Sequence, residues 1–159
     1  MYNDRGICGL KNKKKKYYLD ASKKRGIHLV FDSGLLDETK EKIISFIDSI
    51  KKQYFFPIKL NIKLCNKERF KHPDDGHIYY SVFFDNEDEN PKRYPEIFIA
   101  AKEGKRNPID DIYFSIAHMI TCFYQWFFLE DKRRSHRSLE IEANRWANYI
   151  CDLYLSKQR

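Results

Sequence analysis

"IYFSIAHMITCFYQWFFL", Ile112 to Leu129, comes closer to a membrane span than any other stretch of this chain, and its reading decides the fold. A helix that crosses a bilayer needs roughly 18 or more apolar residues in succession, and His118, Thr121 and Gln125 interrupt this run. It reads as a helix buried in a water-soluble domain. Upstream, "RNPIDDIYFS" supplies a start, with Pro108 near the first turn and Asp110 and Asp111 where the helix dipole favours negative charge. The helix should run to about Leu129. The basic segment "EDKRRSHRS" breaks it, and a last helix follows with Leu139, Ala143, Trp146, Ile150 and Leu153 on one stripe.

Further upstream the period changes. In "PIKLNIKLC", Ile58, Leu60, Ile62 and Leu64 alternate with Lys59, Asn61 and Lys63, the pattern of a strand wet on one face. "HIYYSVFFD" (His77 to Asp85) reads as a second strand and "EIFIAA" (Glu96 to Ala101) as a third, with turn-forming residues around them. "IHLVFD" (Ile27 to Asp32) suits a short strand. It precedes an amphipathic helix carrying Leu36, Ile43, Ile47, Ile50 and Tyr54 on one stripe. The expected architecture is α+β: an N-terminal helix on a three- to four-strand sheet, followed by two packed C-terminal helices.

The 159 residues suit one core, with 42% hydrophobic residues, 16% aromatic residues and a mean hydropathy of −0.70. The net charge of +7 is unevenly placed: the first 25 residues hold nine Lys or Arg against two Asp, and the other 21 basic residues are matched by 21 acidic ones. The chain divides into a basic leader, 1–26, and a single domain, 27–159. Lys11, Lys13, Lys14, Lys15, Lys16, Lys23, Lys24 and Arg25 are the candidate binding residues of the leader, suited to an acidic protein or a nucleic-acid-containing complex. The same lysines can equally be a solvated tail. Cys8, Cys65, Cys122 and Cys151 form no C-x-x-C pair, and "MYNDRGICGL" lacks the order of a signal peptide, which points to reduced thiols and the cytoplasm. There is no Gly-rich phosphate loop and no G-x-S-x-G elbow. His72, His77 and His136 read as surface loop residues, and the acidic clusters at 74–76 and 85–90 lack calcium-loop spacing.

The polar residues of the apolar helix carry the chemistry. His118 and Cys122, four residues apart, project from one helix face. In H-E-x-x-H, two His at that spacing hold zinc and the Glu after the first is the general base. A His and a Cys on an apolar helix can also be plain core. "LEIEANRWANYI" begins 21 residues after His118 and carries Glu140 and Glu142. A Glu in the first turn of a helix is stabilising without any metal, which is the ordinary structural account of both.

On these residues the chain resembles the compact zincin-like metallopeptidases of bacteria, in the style of the ImmA/IrrE and SprT-like groups. Their active helix has the form H-E-L-T-H-Y-F-Q-W, which "HMITCFYQW" matches at the first His, the Thr, the Gln and the Trp. "YPEIFIAA" (Tyr94 to Ala101) is similar to the edge strand before that helix, and Glu140 before Ala143 to the third ligand of the last helix. The likeness covers roughly 35–155. It implies a zincin-like fold with His118, Cys122 and Glu140 as the metal set and Glu142 as a fallback.

Two departures bear on function. Met119 stands where the family has its base, and a thioether can neither accept nor return a proton at neutral pH. Losing a positioned base commonly costs about 10² to 10⁴ in rate. Cys122 in place of the second His is less decisive, because a thiolate ligates zinc well. The leading expectation is therefore a catalytically inactive zincin-like domain that binds a macromolecule, in one version a phage or mobile-element inhibitor or accessory factor of a nucleic-acid-processing complex. This reading needs no catalytic residue and no cofactor, and zinc is the ion the triad could take. The competing expectations are a metal-dependent hydrolase using His118, Cys122 and Glu140 with another base, and a nucleic-acid-binding module acting through the leader.

Overall fold

The computed structural model describes residues 25–86, 93–129 and 134–158. Strand β1 (Gly26–Phe31) leads into helix α1 (Asp37–Gln53) and strand β2 (Lys59–Cys65). Two short strands, β3 (Phe70–Lys71) and β4 (Ile78–Tyr79), precede β5 (Ser81–Phe84) and β6 (Glu96–Ala100), and helices α2 (Ile109–Phe128) and α3 (His136–Lys157) close the chain. The domain is α+β, with α1 between β1 and β2 and with α2 and α3 after the sheet as the sequence indicates.

The main sheet has the order β1-β2-β6-β5, with β1, β2 and β6 parallel and β5 antiparallel to β6. Its register stacks Ile27, Leu60 and then Leu29, Ile62 and Ile97 in rows on one face. Leu60, Ile62, Leu64, Ile97 and Ile99 are fully buried there, against Ile43, Phe46, Ile47 and Ile50 of α1 and Ile112, Ile116, Ile120 and Phe123 of α2. The opposite face carries Lys59, Asn61 and Lys63, and the two lysine heads lie over the rings of Tyr94 and Phe98 at 5.9 and 5.8 Å. The alternation in β2 thus reports a sheet with helices on one side. Helix α3 is an outer layer packed on α2 and tied to α1 by Tyr154, whose hydroxyl pairs with Ser45 Oγ at 3.0 Å and whose ring meets Phe46 at 5.1 Å.

Several expectations need correction. The segment His77 to Asp85 is not one strand. Ile78–Tyr79 pairs with β3 in a separate two-stranded sheet, and Ser81–Phe84 pairs with β6. "YPEIFIAA" supplies an inner strand rather than an edge, because β5 folds back to cover it. Strand β1 begins at Gly26, which pairs with Lys59. On α1, Leu36 is the exposed N-cap residue while Phe46 is wholly buried. On α3 the buried line runs through Leu139, Ala143, Ala147, Cys151 and Tyr154, leaving Trp146 half exposed. Leu139 and Ala143 of the expected stripe are buried, but the small Ala147 faces the core where α2 packs close, and the large Trp146 does not.

Two local devices aim helices α1 and α2. Gly34, at φ +93°, turns the chain into α1, where a Cβ would meet Asn66 Nδ2 at 2.8 Å. Asn107 is fully buried, and its Nδ2 donates to the carbonyls of Ala100 (2.9 Å) and Lys102 (3.2 Å), which pins the turn from β6 into α2.

Candidate metal centre

Helix α2 starts after Pro108 and runs through the core for 20 residues, so its central turns are held from both sides. His118 and Cys122 fall in those turns, one above the other. The facing helix α3 starts at Ser135, whose hydroxyl accepts from the Ser138 N–H at 3.1 Å. This start lies upstream of the one the sequence suggested, and His136 is its first residue rather than a loop residue. The consequence concerns the two carboxylates. Glu140 and Glu142 lie beyond the first turn, which holds no acid, so the helix dipole does not account for either.

Glu140 points at His118 instead, with its Oε1 at 3.4 Å from His118 Nε2. One ligand atom from each of His118, Cys122 and Glu140 falls in a set whose members all lie within 4.8 Å of one another. Tetrahedral zinc with N, O and S ligands holds donor atoms about 3.4–3.6 Å apart. The His118–Glu140 separation already has that value, and the thiol reaches it by a shift of roughly an ångström. The donor set of imidazole, thiolate and carboxylate suits a zinc-type ion in chemistry, and in spacing once the thiol has made that shift. Among the described residues, these three form a His/Cys/Glu cluster that could hold a metal ion.

The electrostatics agree with a ligand role for a neutral imidazole. Burial holds the His118 pKa below its usual value, against the Glu140 charge and hydrogen bonds from the ring to Asn144 and Glu140, which raise it. The contact with Glu140 is accordingly a hydrogen bond that the carboxylate accepts from a neutral ring more than an ion pair. Burial, and then the Glu140 charge, pushes the Cys122 thiol up to about 12. Without a metal it is a protonated thiol, which makes a Cys122–His118 nucleophilic pair a poor one.

Glu142, the fallback ligand, is committed elsewhere. Its Oε2 meets Arg134 Nη1 at 2.8 Å and its Oε1 accepts from Gln125 Nε2 at 3.2 Å, while the same Gln125 nitrogen donates to the Leu139 carbonyl at 3.0 Å. This clasp joins α2 to α3 next to the cluster. Met119, at the position of the family's base, is 5% exposed and belongs to the hydrophobic core. Asn144, which supports His118, was missed by the sequence reading, and its signal was available: it stands four residues after Glu140 and so shares that face of α3. Of the leader residues Arg25 is described and exposed, while Lys11, Lys13, Lys14, Lys15, Lys16, Lys23 and Lys24 lie outside the described residues. No described helix is long and apolar enough to cross a membrane. Comparison with protein-family models, with characterised proteins and with solved structures returned no match.

Proposed function

We propose that this chain is a zincin-like domain that has lost hydrolysis and acts by binding a macromolecule, with His118, Cys122 and Glu140 kept as a zinc-type clasp between α2 and α3. The observation that carries the reading is at residue 119, where the side chain in the place of a base is a core methionine, while three ligand-type groups, His118 next to it in sequence among them, converge between α2 and α3. A metal held there lacks a neighbour that can take a proton from bound water, because Glu142 is tied to Arg134 and Gln125. The scaffold is supported by chain order: "YPEIFIAA" leads into the helix of "HMITCFYQW", and the last helix returns Glu140 to it. Fold does not set function, so the binding role rests on charge: nine Lys or Arg against two Asp in the first 25 residues.

Protein purified without chelator should hold close to one equivalent of zinc, lost in the double variant Cys122→Ser, Glu140→Gln. Less than a tenth of an equivalent removes the clasp. Zinc-loaded protein should leave casein intact, and zinc-dependent cleavage would overturn the loss of hydrolysis. Binding to a DNA duplex should weaken steeply with salt and vanish without residues 1–24; binding unchanged by that truncation rejects the leader as the contact. The second reading, a metal-dependent hydrolase using the same three residues, is favoured by their convergence and would be established by that cleavage.

A further inference from the structure

Between the C-terminal end of α1 and the adjoining faces of α2 and α3 lies a cavity of about 310 Å³. Tyr54, Tyr124, Phe128 and Trp146 supply its aromatic walls, and it opens to solvent beside Phe128 and Trp146, which are 50% and 46% exposed. None of His118, Cys122 and Glu140 lines it. An apolar void of about 150 Å³ accepts a benzene ring, so this one accommodates two fused rings.

Hydrogen bonding sets the polarity of the guest. Thr121 Oγ1 donates to the Ala117 carbonyl at 3.0 Å, and the Tyr124 hydroxyl donates to the Phe55 carbonyl at 2.7 Å. Gln125 Nε2 spends its protons on Leu139 and Glu142. Thr121, Tyr124 and Gln125 have thus committed their donors and retain oxygen lone pairs among the electron-rich ring faces of the wall, while Trp146 at the mouth carries an indole N–H. The Tyr54 hydroxyl can serve either way. Arg134, bonded to the Glu142 carboxylate, neutralises the charge there. The site therefore asks for a hydrogen-bond donor without demanding a cation.

We infer that this cavity binds a planar, two-ring apolar group with an N–H donor on its edge, the chemistry of an indole. A free heteroaromatic compound and the tryptophan side chain of a bound protein share that chemistry. In the second case the cavity belongs to the partner-binding role, but its occupancy is independent of zinc.

The test is a titration of ¹⁵N-labelled full-length protein, treated with chelator, with indole and with benzothiophene, which matches its shape and lacks the N–H. The Trp146 indole resonance and the Ile150 amide report binding. Indole should give saturable shifts at both and bind roughly two- to twelvefold tighter than benzothiophene, the worth of one neutral hydrogen bond. Ile150→Phe fills the cavity and should abolish the shifts, with the fold checked by far-ultraviolet circular dichroism. Glu142→Gln should narrow the preference for indole. N-acetyltryptophanamide should bind if the source is a protein side chain, and its failure beside a positive indole assigns a free small molecule. Equal affinity for indole and benzothiophene, or no saturable shift at the lining residues, overturns the inference; this comparison on the unaltered chain decides even if Ile150→Phe fails to fold. Zinc content is read separately, so a failed titration leaves the metal reading standing, and the reverse also holds.

Discussion

Replacing Met119 by Glu puts a carboxylate at the position where a zincin-like site would carry its base, and the structure says that this position is core. Met119 is 5% exposed and packs in the same cluster as Ile116, Ile120 and Phe123. A carboxyl group buried to this degree has its pKa raised by about 3–5 units, from about 4.3 to roughly 7–9. Between those values the folded variant keeps its proton while the unfolded chain has lost it, so stability falls as pH rises by about 1.4 kcal/mol per unit. At pH 5 the ionisation cost is about 1 kcal/mol and at pH 8 about 4–5 kcal/mol, against a total stability on the order of 5–15 kcal/mol. Packing loss adds to both and is independent of pH. Urea unfolding of Met119→Glu and of the unaltered protein at pH 5 and pH 8, with chelator present, should show the gap widening by about 3–4 kcal/mol at the higher pH. A variant within about 1 kcal/mol of the original and flat across that range would mean that residue 119 reaches solvent or the metal cluster, and the argument for lost hydrolysis would fail with it.

Three further outcomes follow from other parts of the molecule. Phe123→Ala removes a fully buried ring that stacks with Phe56 and Phe127, and should cost about 3–5 kcal/mol in urea unfolding. Arg134→Ala cuts the partly exposed pair with Glu142, whose side chains retain 27% and 36% of their exposure; solvent screening holds its cost to about 1 kcal/mol or less, and zinc content should not change. Zinc uptake must remove the Cys122 proton held with a pKa of about 12, while burial keeps His118 neutral near pH 7. Zinc affinity by competition with a chelator should therefore rise about tenfold per pH unit from pH 7 to 8.5, and Cys122→Ser should flatten the slope.

The site was legible to the extent that it depends on helical spacing. His118 and Cys122 share a face because four residues make nearly one turn, and that holds in any helix. Glu140 could be nominated from the chain alone by the resemblance, but its distance to His118 depends on how α3 crosses α2. Ala143 and Ala147, small buried side chains, let the helices approach at that crossing, and the Gln125–Glu142–Arg134 clasp bridges it at the side. The hydrophobic pattern carries Ala143 but not Ala147, since alanine has little apolar weight, and it does not carry the polar clasp. The same blindness placed Trp146 on the buried stripe of α3, whereas it stands at the mouth of the aromatic cavity.

Local periodicity decided the class of each long element: period two in Lys59–Cys65, a helical period in Asp37–Gln53, and an apolar run too interrupted for a bilayer in Ile109–Phe128. These follow from the chain because side-chain direction repeats with the backbone. Strand order, the inner place of Glu96–Ala100, the division of His77 to Asp85 between two sheets and the approach of Glu140 to His118 were settled by packing. Each depends on which distant segment covers an apolar surface, and many segments of similar hydrophobicity compete for it. At the chemical centre the two levels meet. The sequence puts methionine at 119, and the fold turns that methionine into the core while bringing His118, Cys122 and Glu140 together between α2 and α3.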